Sequence, residues 1–242
     1  MEGLANQDRT DGFAWELLVC EERHDAQLGQ AFFDSYMERL AAKGCAYLRY
    51  LSSNTWVPLP EKWRITGGEM NPGSRAFLLQ AADCYSFKER LNESYRRVVL
   101  EGYSWYDVCH GYFYSFATGK LIQYCSDNPN RTHLNMALFG AAARTIPHSN
   151  LRQNIDGFLN RHTHTVLPPY RRYMDKAEYV GVDTNGYNNI SIGRENYFDN
   201  PAAPFRRTDS TLSSIGLPPD VAERMLAMTK VRTGRTPDCI AH

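Results

Sequence analysis

The chain has 242 residues, of which 43% are hydrophobic, and its 27 basic and 27 acidic side chains give a formal net charge of zero. This length can bury a sizeable core without disulfides or metals. Zero net charge argues against nucleic-acid binding, which usually needs a basic excess, and it removes the self-repulsion that keeps soluble proteins apart. There is no stretch of ~18 apolar residues to span a membrane, and six cysteines without CxxC pairs favour reduced thiols in the cytosol.

The first predicted element is a helix over residues 12–22, which Thr10 or Asp11 can cap. Its apolar side chains could fold back on the core or reach a neighbouring molecule. The candidate assembly residues on this helix are Phe13, Trp15, Leu17 and Leu18. A second helix is predicted from Asp25 to Lys43, with Gly44 ending it, because an apolar residue recurs every four positions along one face. The residues of that face are Leu28, Phe32, Tyr36 and Leu40.

Strands are predicted next. "CAYLRYL" (45–51) is typical of a strand, whereas 76–100 has the spacing of a helix. "YFYSF" (112–116) and "KLIQYC" (120–125) flank a glycine-containing connection and predict a hairpin, and "HLNMALF" (133–139) alternates as a strand does. "AEYVGV" (177–182) and "YNNISI" (187–192) predict a second hairpin. Pro218 and Pro219 open a last helix.

This succession predicts an α+β fold: a compact antiparallel β-sandwich with a projecting N-terminal helix and further surface helices. No repeat or composition shift divides the chain, so a single domain is predicted over 1–242. Within it, residues 1–22 form a helical arm and residues 23–242 form the body.

Two groups of residues could form a catalytic or a metal-binding site. Cys109 followed by downstream histidines could serve a cysteine hydrolase, which needs a thiolate beside an imidazole, although no family signature surrounds this cysteine. His162 and His164 could bind a metal from one side of a strand, with Glu178 as a distant carboxylate. A structural role is favoured in both cases, and we expect neither a catalytic nor a metal site.

The order of several short motifs resembles the cypovirus polyhedrins, the matrix proteins of insect-virus occlusion bodies. "SFKERLNESYRRVV" (86–99) precedes a tyrosine-rich stretch, and "ARTI", "FLNRHTH" and "DNPAA" follow in order. The most specific pieces are "YRRYMDKAEYVG" (170–181) and, shortly after it, "YNNISI". The resemblance covers residues 86–227, about two thirds of the chain, and gives no counterpart to residues 25–43 or 229–242.

The resemblance implies a structural protein rather than an enzyme. Family members form homotrimers that assemble into intracellular crystals, and these enclose and protect virions in the cytoplasm of the infected insect cell and dissolve at alkaline pH. It implies no required cofactor, although nucleotides are possible lattice ligands at positions that the motifs do not give. The expected partners are further copies of the chain and embedded virus particles, with neither membrane nor nucleic acid bound directly.

Tyrosine fits such a role, since it offers a large contact area at small entropic cost and its pKa near 10 provides an alkaline trigger. The chain has 15 tyrosines. Each of the richest candidates could equally be a core residue of one subunit. The candidate alkaline-sensing residues are Tyr103, Tyr106, Tyr112, Tyr114, Tyr124 and Tyr187.

Overall fold

The fold is known from a computed structural model. It describes residues 1–22, 28–53, 59–80, 84–103, 105–108, 110–116, 118–125, 137–139, 172–175, 180–183, 198, 201 and 205–233. The helices are α1 (Glu2–Ala5), α2 (Gly29–Asp34), α3 (Met37–Ala41), α4 (Leu59–Glu69), α5 (Arg90–Tyr95), a π-helical turn (Arg96–Leu100) and α6 (Pro219–Thr233). The strands are β1 (Trp15–Glu22), β2 (Cys45–Ser53), β3 (Ala76–Leu78), β4 (Cys84–Tyr85), β5 (Trp105–Val108), β6 (His110–Ser115), β7 (Leu121–Cys125), β8 (Ala137–Phe139), β9 (Arg172–Asp175), β10 (Val180–Asp183) and β11 (Phe205–Arg207). The predicted α+β class is confirmed.

The N-terminal part is a strand–helix–helix–strand unit in which β1 and β2 pair in parallel. The helix predicted over residues 12–22, and with it the projecting N-terminal helix, is wrong. Residues 15–22 are the strand β1, and α1 is a single turn whose Gly3, Leu4 and Ala5 are buried. Trp15 and Leu17 pack on the buried cluster beside α3, while Glu16 between them bonds the segment that follows α4. This alternation has the period of a strand.

The predicted second helix is present as α2 and α3, with Ser35 and Tyr36 between them. Leu40 is fully buried beneath this unit, as its position on the apolar face predicts. Gly44 ends the helical segment at φ 93°, and a Cβ atom there would lie 2.0 Å from Oγ1 of Thr10. Only glycine therefore fits this turn from α3 into β2.

The remaining strands form two larger sheets. One has the order β11-β7-β6-β10-β4 and the other β3-β8-β5-β9. The predicted hairpin is confirmed, because β6 and β7 pair antiparallel. The prediction that the strands all pair antiparallel is wrong, since three pairs are parallel: β1 with β2, β6 with β10 and β5 with β9. The long helix predicted over 76–100 is also wrong before Arg90, where the short strands β3 and β4 lie.

The C-terminal helix α6 is confirmed, and it supplies one side of a core cluster. Val221, Ala222 and Met225 of α6 are buried in one cluster with Tyr112 and Tyr114 of β6. The predicted hairpin therefore packs on the last helix through Tyr112 and Tyr114 as well as through Phe116 and Leu121.

Candidate functional site

The four candidate assembly residues lie within the folded unit. The Phe13 ring stacks on Tyr95 with ring centroids 4.0 Å apart. The indole Nε1 of Trp15 donates to the backbone oxygen of Lys43 over 3.1 Å, and Trp15 and Leu17 pack on the Leu4 and Leu40 cluster. All four residues, Leu18 included, are partly buried. Their contacts therefore join residues 13–18 to the subunit, and their role in assembly stays a prediction.

Three of the candidate tyrosines are core residues. Tyr106, Tyr112 and Tyr114 are 1%, 5% and 0% exposed. The Tyr114 hydroxyl lies 2.9 Å from the Thr229 hydroxyl on α6, and the Arg90 guanidinium lies 5.1 Å from the centre of the Tyr106 ring. These three phenols are buried by their own chain, so their ionisation would act on the subunit fold rather than on a contact between copies.

Of the remaining candidate residues, only Tyr103 and Tyr124 lie among the described residues. Tyr103 is partly buried, and Tyr124 pairs through its backbone with Phe205 in the five-stranded sheet. Tyr187 lies outside the described residues, as do Cys109 and the metal candidates His162, His164 and Glu178. Cys45 is described, and burial raises the pKa of its thiol. Because the thiolate is the nucleophilic form of cysteine, this environment disfavours a nucleophilic role for Cys45.

The structure draws attention to three tyrosines that the sequence interpretation left out. The Tyr36 hydroxyl donates to Glu2 over 3.0 Å, and the Tyr50 hydroxyl donates to Glu21 over 2.6 Å. Burial, followed by the bond to Glu2, raises the pKa of Tyr36, and the bond to Glu21 raises that of Tyr50. Burial raises the pKa of Tyr85. Position in the sequence gave no signal for these carboxylate partners, because Tyr36 and Glu2 are far apart in the chain.

The Glu2 carboxylate joins α1 to two other helices. It accepts hydrogen bonds from Arg39 of α3 over 2.8 and 3.1 Å and from Arg224 of α6 over 3.3 Å. Arg224 in turn bonds Asp220 over 2.8 Å. The Arg39 bond is the main reason why the pKa of Glu2 falls to about 2, and the bonds from Arg224 and Tyr36 act in the same direction. We call Glu2, Tyr36, Arg39 and Arg224 the Glu2 hub.

Gln7 attaches the same segment to the start of α5. Its side chain is fully buried. Nε2 donates to the backbone oxygens of Gly3, Ser86 and Phe87 over 2.8, 3.2 and 2.8 Å, and Oε1 accepts from the Leu91 amide over 3.0 Å. A buried amide with this many partners is a specific tether. Residues 1–10 are therefore a docked part of the molecule.

Neither arrangement has the chemistry of an active site. In the Glu2 hub the carboxylate is neutralised by arginines and holds helices together, and the Gln7 amide bonds backbone groups. Within the described ranges, no cluster of three or more histidine, cysteine, aspartate or glutamate side chains could hold a metal, and no helix is long and apolar enough to cross a bilayer. The Glu2 hub, through its carboxylate and the Tyr36 phenol, can make docking of the N-terminal segment sensitive to pH.

The surface of the described part carries four exposed large apolar side chains in separate elements. They are Leu28, Tyr47, Leu100 and Met228, each more than half exposed. Tyr47 lies on β2, where the Arg49 guanidinium is 5.3 Å from its ring centre. An aromatic ring and an arginine are both enriched at protein interfaces, so this part of β2 has side chains suited to contact with another molecule.

Comparison with known proteins gives no relative: no family model, curated protein or solved structure matches this chain. What can be inferred about its function therefore rests on its own motifs, composition and geometry.

Glu2→Gln is expected to lower the free energy of unfolding at pH 7 by about 1 kcal/mol, because the hub arginines, which are about half exposed, lose their carboxylate. The folded pKa of Glu2, about 2, is below its ordinary value of 4.5. Its contribution is therefore full above about pH 4.5 and is lost as the pH falls toward 2. Urea unfolding of the variant at several pH values measures both effects.

The matched control for this prediction is Glu38→Gln. Glu38 is an exposed carboxylate on α3, and the same change there should leave stability within about 0.5 kcal/mol of wild type. If the two variants unfold at the same urea concentration at pH 7, the hub does not stabilise the fold.

Proposed function

We propose that this protein is a structural protein that assembles into intracellular crystals, the matrix of viral occlusion bodies. The observation that carries the proposal is the ordered succession of "YRRYMDKAEYVG" and "YNNISI", which resembles the cypovirus polyhedrins. The proposed unit is a homotrimer, and its crystal encloses and protects virus particles in the cytoplasm of an insect cell. No cofactor is required for this role, and a nucleotide is a candidate lattice ligand.

The strand connections support the β-sandwich that this proposal includes. Within "YRRYMDKAEYVG", β9 belongs to the four-stranded sheet and β10 to the five-stranded sheet, with Lys176 to Tyr179 between them. Earlier in the chain, β3 and β5 lie in the four-stranded sheet and β4 and β6 in the five-stranded sheet. Repeated exchange of strands between two sheets is typical of sandwich folds.

Composition supports assembly as well. A net charge of zero leaves no overall repulsion between copies. Tyr47, which is exposed on β2, provides contact area and a hydrogen-bond donor with little lost rotamer freedom for its ring, and the partly exposed Arg49 lies beside it. Zero net charge and an exposed aromatic ring both suit contacts between identical copies.

Expression of the full chain alone in insect cells tests the proposal. We expect refractile micrometre-sized polyhedra by light microscopy, stable at neutral pH and dissolving above about pH 10, where tyrosine and lysine change charge. Tyr187→Ala should abolish the crystals without unfolding the protein, and Tyr187→Phe should separate the role of the ring from that of the hydroxyl. Cells filled with a soluble monodisperse monomer would contradict the proposal.

A further inference from the structure

The Glu2 hub has the donor arrangement of a site that binds an oxyanion. Four hydrogen-bond donors from three side chains converge on one carboxylate: both terminal nitrogens of Arg39, the Tyr36 hydroxyl and Nη1 of Arg224. Arg39 contacts both oxygens as a fork, which is the geometry in which arginine recognises carboxylates and phosphates. The Glu2 carboxylate therefore shows where an anion lies in the hub and which groups hold it.

The four donors suit a phosphate group better than the carboxylate that they hold. Tyr36, Arg39 and Arg224 all donate to the same oxygen, Oε1 of Glu2, over 3.0, 3.1 and 3.3 Å. Oε2 accepts from Nη2 of Arg39 over 2.8 Å. Three donors at Oε1 exceed the roughly two lone-pair sites of one carboxylate oxygen. A phosphate group has at least three acceptor oxygens around one centre, so it can spread the same donors over more oxygens.

The charges of the hub also favour an anion once the Glu2 carboxylate turns away. Arg39 and Arg224 carry two positive charges, and Asp220 beside them carries one negative charge, which leaves one net positive charge. Asp220 opposes an incoming anion, but it bonds Nη2 of Arg224 over 2.8 Å. Nη1 of Arg224, which contacts Glu2, is therefore available to the anion that replaces it.

Solvent reaches the hub while the N-terminal segment stays docked. The side chains of Arg39 and Arg224 are 47% and 51% exposed, and that of Glu2 is 20% exposed. Leu4 and Gln7 hold the segment through apolar packing and backbone hydrogen bonds that do not involve the Glu2 carboxylate. A dissolved anion can therefore replace this carboxylate after a rotation of the Glu2 side chain alone.

We propose that Tyr36, Arg39 and Arg224 form a binding site for a phosphate group, and that Glu2 occupies this site as a tethered competing ligand. A bound phosphate would accept from the four donors and join α3 to α6 in place of the carboxylate. Its source is inorganic phosphate or a phosphate monoester, since both present the same kind of oxygen to the donors. The site goes beyond the proposed assembly role, and its test needs no crystals.

Removal of the tethered carboxylate in the full chain tests the site. Glu2→Ala should bind inorganic phosphate about fivefold more tightly than wild type, the ratio that corresponds to about 1 kcal/mol. Phosphorus NMR titrations at constant ionic strength measure this ratio. Phosphate should also raise the urea midpoint of Glu2→Ala more than sodium chloride of equal ionic strength does, because a ligand of the folded state stabilises it. Glu2→Ala/Arg39→Ala should lose both effects.

Glu69→Ala is the matched control, because it also removes a carboxylate from an arginine, Arg49, over 2.9 Å. It should bind phosphate no more tightly than wild type. Circular dichroism checks that each variant is folded, and Glu2→Gln, which keeps the side-chain length, should bind phosphate with an affinity between those of Glu2→Ala and wild type. Equal affinities of wild type and both Glu2 variants, or unchanged binding after Arg39→Ala, overturn the proposal. So does equally tight binding by Glu69→Ala.

A second titration distinguishes the two sources of the phosphate group. Methyl phosphate is the probe, because it has the oxygens of a monoester without a larger group that could make contacts of its own. Binding to Glu2→Ala as tight as that of inorganic phosphate supports a monoester as the ligand, and weaker binding supports the free ion.

Discussion

Raising the pH above 10 is expected to lower the free energy of unfolding by about 2 kcal/mol by pH 11.5, because Tyr36 and Tyr85 have raised pKa values in the folded chain. The unfolded protein then loses phenol protons that the folded protein retains. The contribution of these tyrosines is full below about pH 10 and is lost as the pH rises through their folded pKa values. Urea unfolding followed by tryptophan fluorescence between pH 7 and pH 11.5 measures the loss.

The surroundings of the two phenols explain the direction. Tyr36 faces the Glu2 carboxylate, with Arg39 and Arg224 nearby, and Tyr85 is 7% exposed. A phenolate at Tyr36 would lose its donated hydrogen bond and meet a negative charge, and one at Tyr85 would be an ion with little water around it. Both residues surround the docked N-terminal segment, so alkali should release that segment first.

The double variant Tyr36→Phe/Tyr85→Phe distinguishes the alkaline effect of these two tyrosines from that of the other titratable groups. At pH 7 the variant should lose about 1 kcal/mol, since a phenol–carboxylate hydrogen bond is gone. Above pH 10 its remaining stability should fall less steeply than that of wild type. Tyr47→Phe is the matched control, because Tyr47 is 53% exposed. Equal alkaline slopes for the double variant and wild type would show that lysines or other tyrosines govern the loss.

The elements that the sequence predicts correctly are those with local signals. Pro218 and Pro219 open α6, the glycine-containing connection joins β6 to β7, and Gly44 ends the segment of α2 and α3. Each depends on the backbone preference of proline or glycine, which acts within a few residues. These signals locate the boundaries of elements without reference to the rest of the fold.

The incorrect predictions concern residues whose state depends on distant partners. Residues 15–22 contain both helical and alternating patterns, and pairing with β2 some 30 residues later selects the strand. In the same way, residues 76–78 are a strand because β8 pairs with them. The Glu2 hub and the Gln7 tether cannot be predicted from local patterns, since their partners lie up to 222 positions away along the chain. Such contacts leave no periodic signal in a single sequence.

Gln7→Met is expected to lower the free energy of unfolding by about 3 kcal/mol, the range for breaking a buried hydrogen-bond network. Methionine matches glutamine in length but cannot donate to three carbonyls or accept from the Leu91 amide. Those backbone groups, in Gly3, Ser86, Phe87 and Leu91, would each have one bond fewer, and the bonds to Gly3, Ser86 and Leu91 are buried. Urea unfolding measures the global loss, and hydrogen exchange at the Leu91 amide measures the local one.

Gln30→Met is the matched control, because Gln30 is an exposed glutamine on α2 whose amide donates to the Asp34 carboxylate one turn later over 2.6 Å. It should change stability by less than about 0.5 kcal/mol. If Gln7→Met lowers stability far more and also speeds exchange at Leu91, then residues 1–10 are held by a specific polar tether. If both variants behave alike, apolar burial of Leu4 and Ala5 suffices to dock the segment. The hydrogen-bond geometry favours the first result, because one amide makes four hydrogen bonds to the backbone, three of them buried.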